Sequence, residues 1–359
     1  MSNEITASDA LLLELLSDHQ PRRPRLLVNL LAGKKTVATR YWGLRYGLLG
    51  FAGLQRYWGS LKLDFSGTQG QGLVTTTSKN ELKLTKQGIA QQRRLQFLEP
   101  WQGWQASFQS LDLLHFKQRL LLLIQVMSER AHGNRQYHPL LVAGSDRQFI
   151  KTYYTRLVSP LETAQQLKED LQKMLGSLTT TAATVVAEQL VGFENNGATL
   201  TQIAFNHQWT DWEVIQADLF GIAQLAQQAL QDTSLTLSPL LQGLQKPIID
   251  PSVATTLQLY QRFHSLKAVQ NKRQMRPSTI TEHLLLAAID LPLAKFPYHD
   301  FVSDLQIREI QKELGQQLDH WRYEALSDRF RSTCDFWQFR LGAIKLTKEG
   351  QKVQNYGSD

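Results

Sequence analysis

Cysteine and long apolar runs are nearly absent from this sequence, and each absence excludes a class of protein. The 359 residues contain one cysteine, Cys334, so neither an internal disulfide nor a cysteine-rich metal site can form. No apolar run approaches the eighteen residues that a membrane-spanning helix needs, and the run at residues 120–124, for example, ends at Arg119 and Gln125. The first residues, MSNEITASDALLLELL, are acidic where a secretory signal begins with basic residues. We therefore expect a cytoplasmic protein without a membrane partner.

Catalytic motifs are missing as well. The stretch LLAGKKT at residues 30–36 ends like a phosphate-binding loop, but Val28 occupies the position of that loop's first glycine. The histidines are scattered, with no carboxylate at metal-ligand spacing. Neither a Gly-x-Ser-x-Gly elbow nor a paired-carboxylate motif is present. The sequence predicts a protein that is not an enzyme and binds no metal or cofactor, and an enzyme with an unrecognised site is the least favoured alternative.

Positive charge is present but unevenly distributed. The formal net charge is +7. Residues 1–95 contain 14 Lys and Arg against 6 Asp and Glu, residues 96–250 contain 10 against 14, and residues 251–359 contain 15 against 12. Within the last part, residues 251–289 hold five basic residues and one acidic residue, Glu282. A localised positive field is typical of a protein with a polyanion partner, although ordinary protein surfaces carry such patches too.

The length predicts more than one folding unit, and the first is expected at residues 1–95. Four helical patterns there are followed by GLVTTTSKNELKLTKQG, which has the alternation of strand, polar turn and strand. Helices followed by a small hairpin favour a winged-helix-like domain. The alternative is a hairpin that only covers a helical bundle.

The middle of the chain, residues 96–230, has an almost wholly helical pattern. Within it, residues 199–230 have the layout of a short helix, a turn and a longer helix. Three acidic residues flank that second helix, so it is predicted to be structural or protein-binding rather than a partner for phosphate. Residues 231–251 are rich in Ser, Thr and Pro and are predicted to be a linker.

Residues 252–359 are predicted to form a helix-turn-helix domain, with SLKAVQNKRQMRPSTITEHLLLAA at residues 265–288 as its centre. Apolar residues three or four apart give its helices one shared core. Three bases precede the second helix and hydroxyls fill its first turn, as a helix entering the major groove requires. Ordinary capping explains the same residues, because Ser278 or Thr279 would satisfy the helix and Glu282 would complete a capping box. The residues by themselves leave both interpretations open.

The stretch TLQLYQRFHSLKAVQNKRQMRPSTITEHLLLAAI resembles the helix-turn-helix domain at the end of RecQ-type DNA helicases. The residues that match its R...sTI..HL core are Arg273, Ser278, Thr279, Ile280, His283 and Leu284. Ala268 and Val269 stand where the pattern usually has Ile-Ala. With LLAGKKTVAT, RYGLLG, LKLTKQG and VGFENNGATLTQIA, the chain is similar to the YpbB-type proteins of low-GC Gram-positive bacteria, typically encoded beside a RecQ-type helicase. The resemblance implies a DNA-associated protein that acts with a helicase in recombination and repair.

The predicted fold is therefore mainly α and multi-domain, with an N-terminal winged helix, a helical middle region and a C-terminal helix-turn-helix domain. The expected partners are DNA, in particular forked DNA or single-stranded/duplex junctions, a RecQ-type helicase and, as a further candidate, a single-stranded DNA-binding protein. Such a protein would be associated with the nucleoid. The alternative function is a pure protein-interaction scaffold that docks a helicase or a single-stranded DNA-binding protein without touching DNA.

Fifteen residues are expected to contact DNA. Those of the C-terminal domain are Lys267, Lys272, Arg273, Arg276, Ser278, Thr279, Thr281 and His283. Those of the N-terminal domain are Lys34, Lys35, Arg40, Arg45, Arg56, Lys79 and Lys83.

Overall fold

Helices account for nearly all of the regular structure, which confirms the mainly α prediction. The computed structural model describes residues 5–59, 62–95 and 104–356, and within these ranges there are nineteen α-helices and one two-stranded hairpin. The helices are α1 (Ala7–Glu14), α2 (Pro24–Leu31), α3 (Val37–Arg45), α4 (Gln55–Trp58), α5 (Phe65–Gly70), α6 (Lys86–Leu95), α7 (Trp104–Ser110), α8 (Leu113–Ala131), α9 (Gly144–Thr155), α10 (Pro160–Gly176), α11 (Thr180–Glu188), α12 (Leu200–His207), α13 (Asp211–Gln231), α14 (Pro251–Phe263), α15 (Leu266–Arg273), α16 (Pro277–Asp290), α17 (Asp304–Leu314), α18 (Asp328–Arg331) and α19 (Phe336–Tyr356). The strands are β1 (Val74–Thr76) and β2 (Leu82–Leu84). In the described part of the chain, no helix is long and apolar enough to cross a membrane.

The chain folds into two compact units that do not follow the chain order. Unit 1 contains the described parts of residues 1–32 and 53–246, and unit 2 those of residues 33–52 and 247–359. Residues 33–52 therefore pack with the C-terminal part of the chain. The sequence pattern predicts residues 33–52 in the N-terminal domain. Helical periodicity shows which face of a helix is apolar, but not which hydrophobic core that face enters.

In unit 1, the predicted hairpin is present directly before α6. Val74 pairs with Leu84 and Thr76 with Leu82, so that the apolar residues of both strands lie on one buried face. Asn80 adopts a left-handed conformation in the turn, at φ 56°, which asparagine tolerates better than most residues. On the edge of β2 that does not pair with β1, Leu82 exchanges backbone hydrogen bonds with Arg22 at 2.7 and 2.9 Å. The hairpin is thereby tied to the segment between α1 and α2.

The helical body of unit 1 is built around α13. Its residues are buried on most of its circumference, and it packs against α7, α8, α11 and α12. The predicted helix pair at residues 199–230 is present as α12 and α13, and Thr210 caps α13 as part of a capping box with Glu213. Val185, Ile203 and Val214 form a small core between these helices and α11. This cluster joins the three helices by apolar packing, and the role of the pair remains a prediction.

The segment predicted to be a linker is packed rather than free. Leu237 and Leu240 have no exposed surface. Nη1 of Arg119 donates to the carbonyl oxygens of Leu240 and Gln242, both at 2.8 Å. Residues 231–246 consequently belong to unit 1. Serine, threonine and proline mark a chain without regular structure, but the leucines between them supply enough apolar surface to be buried.

Unit 2 has α16 at its centre. This helix packs against α14, α15, α19 and α3, which surround it on several sides. Tyr41 and Leu44 of α3 enter the same apolar core as Leu284 and Ile344. Burial of these two side chains gives the physical reason why residues 33–52 fold with the C-terminal part.

Candidate nucleic-acid interface

Three consecutive helices, α14, α15 and α16, form the predicted helix-turn-helix arrangement. Ser265 caps α15, with its side chain accepting from the amide of Ala268 at 3.3 Å. After α15, Gln274 adopts the left-handed conformation at φ 53°. Pro277 then occupies the first turn of α16, where its fixed φ suits a helix and its missing N–H costs nothing. One left-handed residue and one proline thus turn the chain sharply between the two helices.

The predicted core residues of this arrangement are buried. Val269 of α15 has no exposed surface, and Ile280 and Leu284 of α16 are 1% and 0% exposed. Leu257 and Tyr260 of α14 complete the contact. The spacing of three and four residues in the sequence therefore identified the inward faces correctly.

Two of the predicted DNA contacts are half-buried and form hydrogen bonds that connect the helices. Nη2 of Arg273 donates to the Ser252 hydroxyl at 2.6 Å, which joins the end of α15 to the start of α14. Nδ1 of His283 lies 2.8 Å from the hydroxyl of Thr256, which is fully buried in α14. Burial lowers the pKa of His283 below its ordinary value, and the nearby Arg273 guanidinium adds to this effect. A neutral histidine is suited to an internal hydrogen bond.

The remaining predicted contacts of this domain are accessible to a ligand to different degrees. Lys267, Lys272, Arg276 and Ser278 are exposed, whereas Thr279 and Thr281 are half-buried. The hydroxyl of Thr281 donates to the Ser278 carbonyl at 2.9 Å. The exposed cations lie on α15 and in the turn, directly in front of α16.

The N-terminus of α16 lacks the capping box that one interpretation of the sequence expected. The residue that precedes the helix is Arg276, whose side chain makes no capping hydrogen bond, so the predicted capping box with Glu282 is not formed. Thr279 and Ile280 donate their amides to the Arg276 carbonyl at 3.0 and 3.2 Å, while the Ser278 amide has no partner among the described residues. An uncapped helix N-terminus with a free amide and an adjacent arginine favours an anion.

Only the first two turns of α16 are available to a partner. Ser278 and Glu282 are exposed, but from Leu284 onwards the helix is covered on nearly all sides by α3, α14 and α19. A partner can therefore approach the helix end-on, and the carboxylate of Glu282 opposes a phosphate beyond the first turn.

Four predicted contacts from the N-terminal part lie in unit 2 together with the helix-turn-helix. Lys34 and Lys35 are exposed, and Nζ of Lys35 lies 3.4 Å from Asp250, which caps α14. Arg40 is only 15% exposed and pairs with Asp290 at the end of α16. Arg45 is 11% exposed, pairs with Asp319 and donates to Thr347 at 2.9 Å. Both arginines thus serve ion pairs within the unit. Ordinary surface lysines and internal arginines carry the same charge, so the sequence could not separate them.

The other three predicted contacts lie in unit 1. Arg56 is exposed on α4 and Lys79 is exposed in the hairpin turn. Lys83 is half-buried on β2, where it pairs with Thr75. Their roles in DNA binding remain predictions.

Two exposed amide side chains lie next to the predicted contacts although the sequence gave no reason to select them. Asn271 is exposed on α15 and Gln274 is the left-handed residue of the turn. Carboxamides can pair with the edge of adenine. The signal that identifies this position is the left-handed backbone of Gln274 at the end of α15, which the sequence does not reveal.

These features define the C-terminal part as a helix-turn-helix domain. Residues 252–343 match the family model described as a helix-turn-helix domain. The chain is also similar to Protein YpbB of Bacillus subtilis (strain 168), with 24% identity over 286 residues that cover 78% of this chain and 78% of that protein. Both findings confirm the predicted resemblance to a YpbB-type protein with a C-terminal helix-turn-helix domain. No solved structure matches the chain.

Proposed function

We propose that this protein is a non-enzymatic DNA-binding adaptor that acts with a RecQ-type helicase in recombination and repair. The observation that carries direct DNA contact is the exposed, uncapped N-terminus of α16, with Lys272 and Arg276 in front of it. The helix-turn-helix match of residues 252–343 supports the same partner.

The expected contact is made mainly to the DNA backbone. Lys272 and Arg276 neutralise phosphates, and the amide and hydroxyl of Ser278 donate to a phosphate oxygen at the helix end. Base contacts are few, because α16 is exposed only over its first two turns. Binding of this kind depends strongly on salt and weakly on base sequence.

The test is fluorescence anisotropy of the full chain with forked, single-stranded and duplex DNA over a salt series. In the variant Lys272→Ala/Arg276→Ala, two lost phosphate contacts should reduce the slope of log K against log salt on duplex DNA by about 1.8. The matched control is Arg308→Ala/Lys312→Ala, which removes two exposed cations from α17 of the same unit. Absence of binding at low salt, or equal slopes in both variants, contradicts the proposed DNA contact.

A pure interaction scaffold is the second candidate function, and Phe205 is the observation that favours it. This side chain is 84% exposed on α12, in the helix pair of unit 1 whose acidic second helix suits phosphate poorly. Pull-down of a RecQ-type helicase should persist after nuclease treatment if protein contacts alone carry the complex. Phe205→Ala should then release the helicase, whereas Leu305→Ala, which removes another exposed apolar side chain, should not.

Cooperation with the helicase is tested separately from docking. The unsubstituted protein should stimulate unwinding of forked DNA by the helicase, and Lys272→Ala/Arg276→Ala should stimulate it less. Equal stimulation by both favours the scaffold. Turnover above blank in ATPase and nuclease screens of the purified chain argues against a non-enzymatic role.

A further inference from the structure

A second group of cationic side chains surrounds a cleft in unit 1. The cleft lies between α8, the loop that follows it and α9, and its volume is about 880 Å³. Sites for small ligands have volumes of about 300–1,000 Å³. Arg130 comes from α8, Arg135 from the loop, and Arg147 and Lys151 from α9. The cleft is lined by residues that the charge pattern of the sequence does not reveal, because residues 96–250 are acidic as a whole.

The four cations have no internal partners. Among the described residues, none of them forms an ion pair or a side-chain hydrogen bond, and Nε of Arg130 is buried without an acceptor. Two acids of the same elements are buried and have partners of their own. Glu129 is buried and accepts from Asn134 at 2.6 Å, and Asp146 is buried against Arg119, whose Nε lies 2.8 Å away. Arg135, Arg147 and Lys151 are exposed, so their charges are accessible to a ligand.

Aromatic and aliphatic surface accompanies this charge. Tyr137 and Tyr154 are half-buried in the wall of the cleft. Leu122, Val126 and Ile150 also line it and are buried or half-buried. Aromatic rings beside a cationic rim are what proteins use to bind unpaired bases, since each base can stack on a ring while its phosphate meets a cation.

We infer that this cleft binds a short segment of single-stranded nucleic acid. Arg135, Arg147 and Lys151 face the phosphates, and the two tyrosines stack on bases. A cleft enclosed by two helices and a loop admits bases only when they are unpaired, so duplex DNA is not its ligand. The same cations could attract an acidic peptide, but a peptide gives no reason for two tyrosines in one wall. This inference concerns a site in unit 1 and does not depend on the helix-turn-helix surface of unit 2.

The experiment measures the Kd of the full chain for a fluorescein-labelled oligothymidylate of eight nucleotides by fluorescence anisotropy. Arg135→Ala/Lys151→Ala should raise the Kd at least about tenfold, because two phosphate contacts are lost. The charge-matched control, Arg156→Ala/Lys173→Ala, removes two exposed cations that do not line the cleft and should leave the Kd unchanged. Lys272→Ala/Arg276→Ala should weaken duplex binding only, so that the two sites succeed or fail separately.

Stacking is tested at Tyr154. Tyr154→Phe keeps the ring and should bind oligothymidylate like the parent, whereas Tyr154→Leu should weaken binding about tenfold. Circular dichroism melting of both variants confirms folding, and if Tyr154→Leu is unfolded, Tyr137→Leu against Tyr137→Phe gives the same comparison. Oligouridylate in place of oligothymidylate distinguishes RNA from DNA.

Three results overturn the inference. The first is an equal Kd for the cleft variant and its charge-matched control. The second is equal binding by the Phe and Leu variants. The third is tighter binding of an acidic decapeptide of aspartate and leucine than of oligothymidylate, with that peptide binding lost in Arg135→Ala/Lys151→Ala. This result would assign the cleft to a peptide.

Discussion

Replacing Arg40 by alanine should loosen α3 from the core of unit 2. Nε of Arg40 donates to Oδ1 of Asp290 at 3.0 Å, and its Nη2 contacts the same oxygen. The two side chains are 15% and 16% exposed. In Arg40→Ala, the carboxylate of Asp290 keeps only Lys35 and Lys348 as neighbouring positive charges. The variant therefore leaves a mostly buried charge with weaker compensation.

The magnitude follows from this partial burial. Removing one partner of a fully buried ion pair costs about 3–5 kcal/mol, whereas an exposed pair contributes about 0–1 kcal/mol. Because both side chains retain some exposure and two lysines remain, we expect the variant to lose about 2 kcal/mol. Arg40→Ala/Asp290→Asn should recover much of this loss, since no uncompensated carboxylate is left.

The loss should also depend on pH. Burial raises the pKa of Asp290 above its ordinary value and Arg40 opposes this effect, so removing Arg40 raises that pKa further. A carboxyl with a raised folded-state pKa stabilises the fold when it is protonated, and this stability is lost as pH rises through that pKa. The difference between parent and variant should thus be small near pH 4 and larger at neutral pH.

Hydrogen exchange read by mass spectrometry is the suitable assay, because two compact units need not unfold in one step. Peptides from residues 37–45 report the opening free energy of α3, after correction for the intrinsic exchange rate at each pH. Equal protection of these amides in parent and variant at both pH values refutes the reasoning, and α3 would then be held by its apolar contacts alone.

Three further predictions concern stability. Thr256→Val should cost about 1–2 kcal/mol in urea unfolding, because His283 loses its partner, while the salt slope of DNA binding stays unchanged. Gly221→Ala should destabilise the protein by about 1–3 kcal/mol and lower its melting temperature, because the new Cβ would lie 2.6 Å from Cγ2 of Val186. Adding Val186→Ala, which removes that methyl group, should restore the melting temperature. Burial lowers the pKa of Lys348 from 10.5 to about 8, so the unfolded chain binds the proton more tightly and the parent gains stability as pH rises across that interval. Lys348→Met should lack this gain when urea unfolding is compared at the two ends of that pKa interval, about 8 and 10.5. An identical gain in both proteins contradicts the assignment.

Periodicity and capping residues predicted most of the helices. The apolar spacing around Ile280 and Leu284 identified the inward face of α16, and both side chains are buried. The alternation of Leu82 and Leu84 predicted the second strand of the hairpin, with both residues on the buried face. Patterns of this kind are local, so one sequence suffices to recognise them.

The assignment of charges to roles could not be predicted in the same way. Arg273 and Arg276 are three residues apart on the same basic stretch, yet one donates to Ser252 inside the domain and the other is exposed. Arg40 is equally basic and pairs with a carboxylate 250 residues away. A sequence records the charge of a side chain but not its partner, which only long-range packing supplies.

The sequence by itself determined that this chain is mainly helical, that residues 252–343 carry a helix-turn-helix, and which faces of its helices are apolar. Only the tertiary structure decided that α3 joins the C-terminal unit, that the leucines after α13 are buried, and that α16 begins without a side-chain cap. It also gathered four cations with no internal partners around one cleft of an otherwise acidic region. Local backbone preferences are fixed by neighbours a few residues apart, whereas burial and charge pairing depend on residues that meet only when the chain has folded.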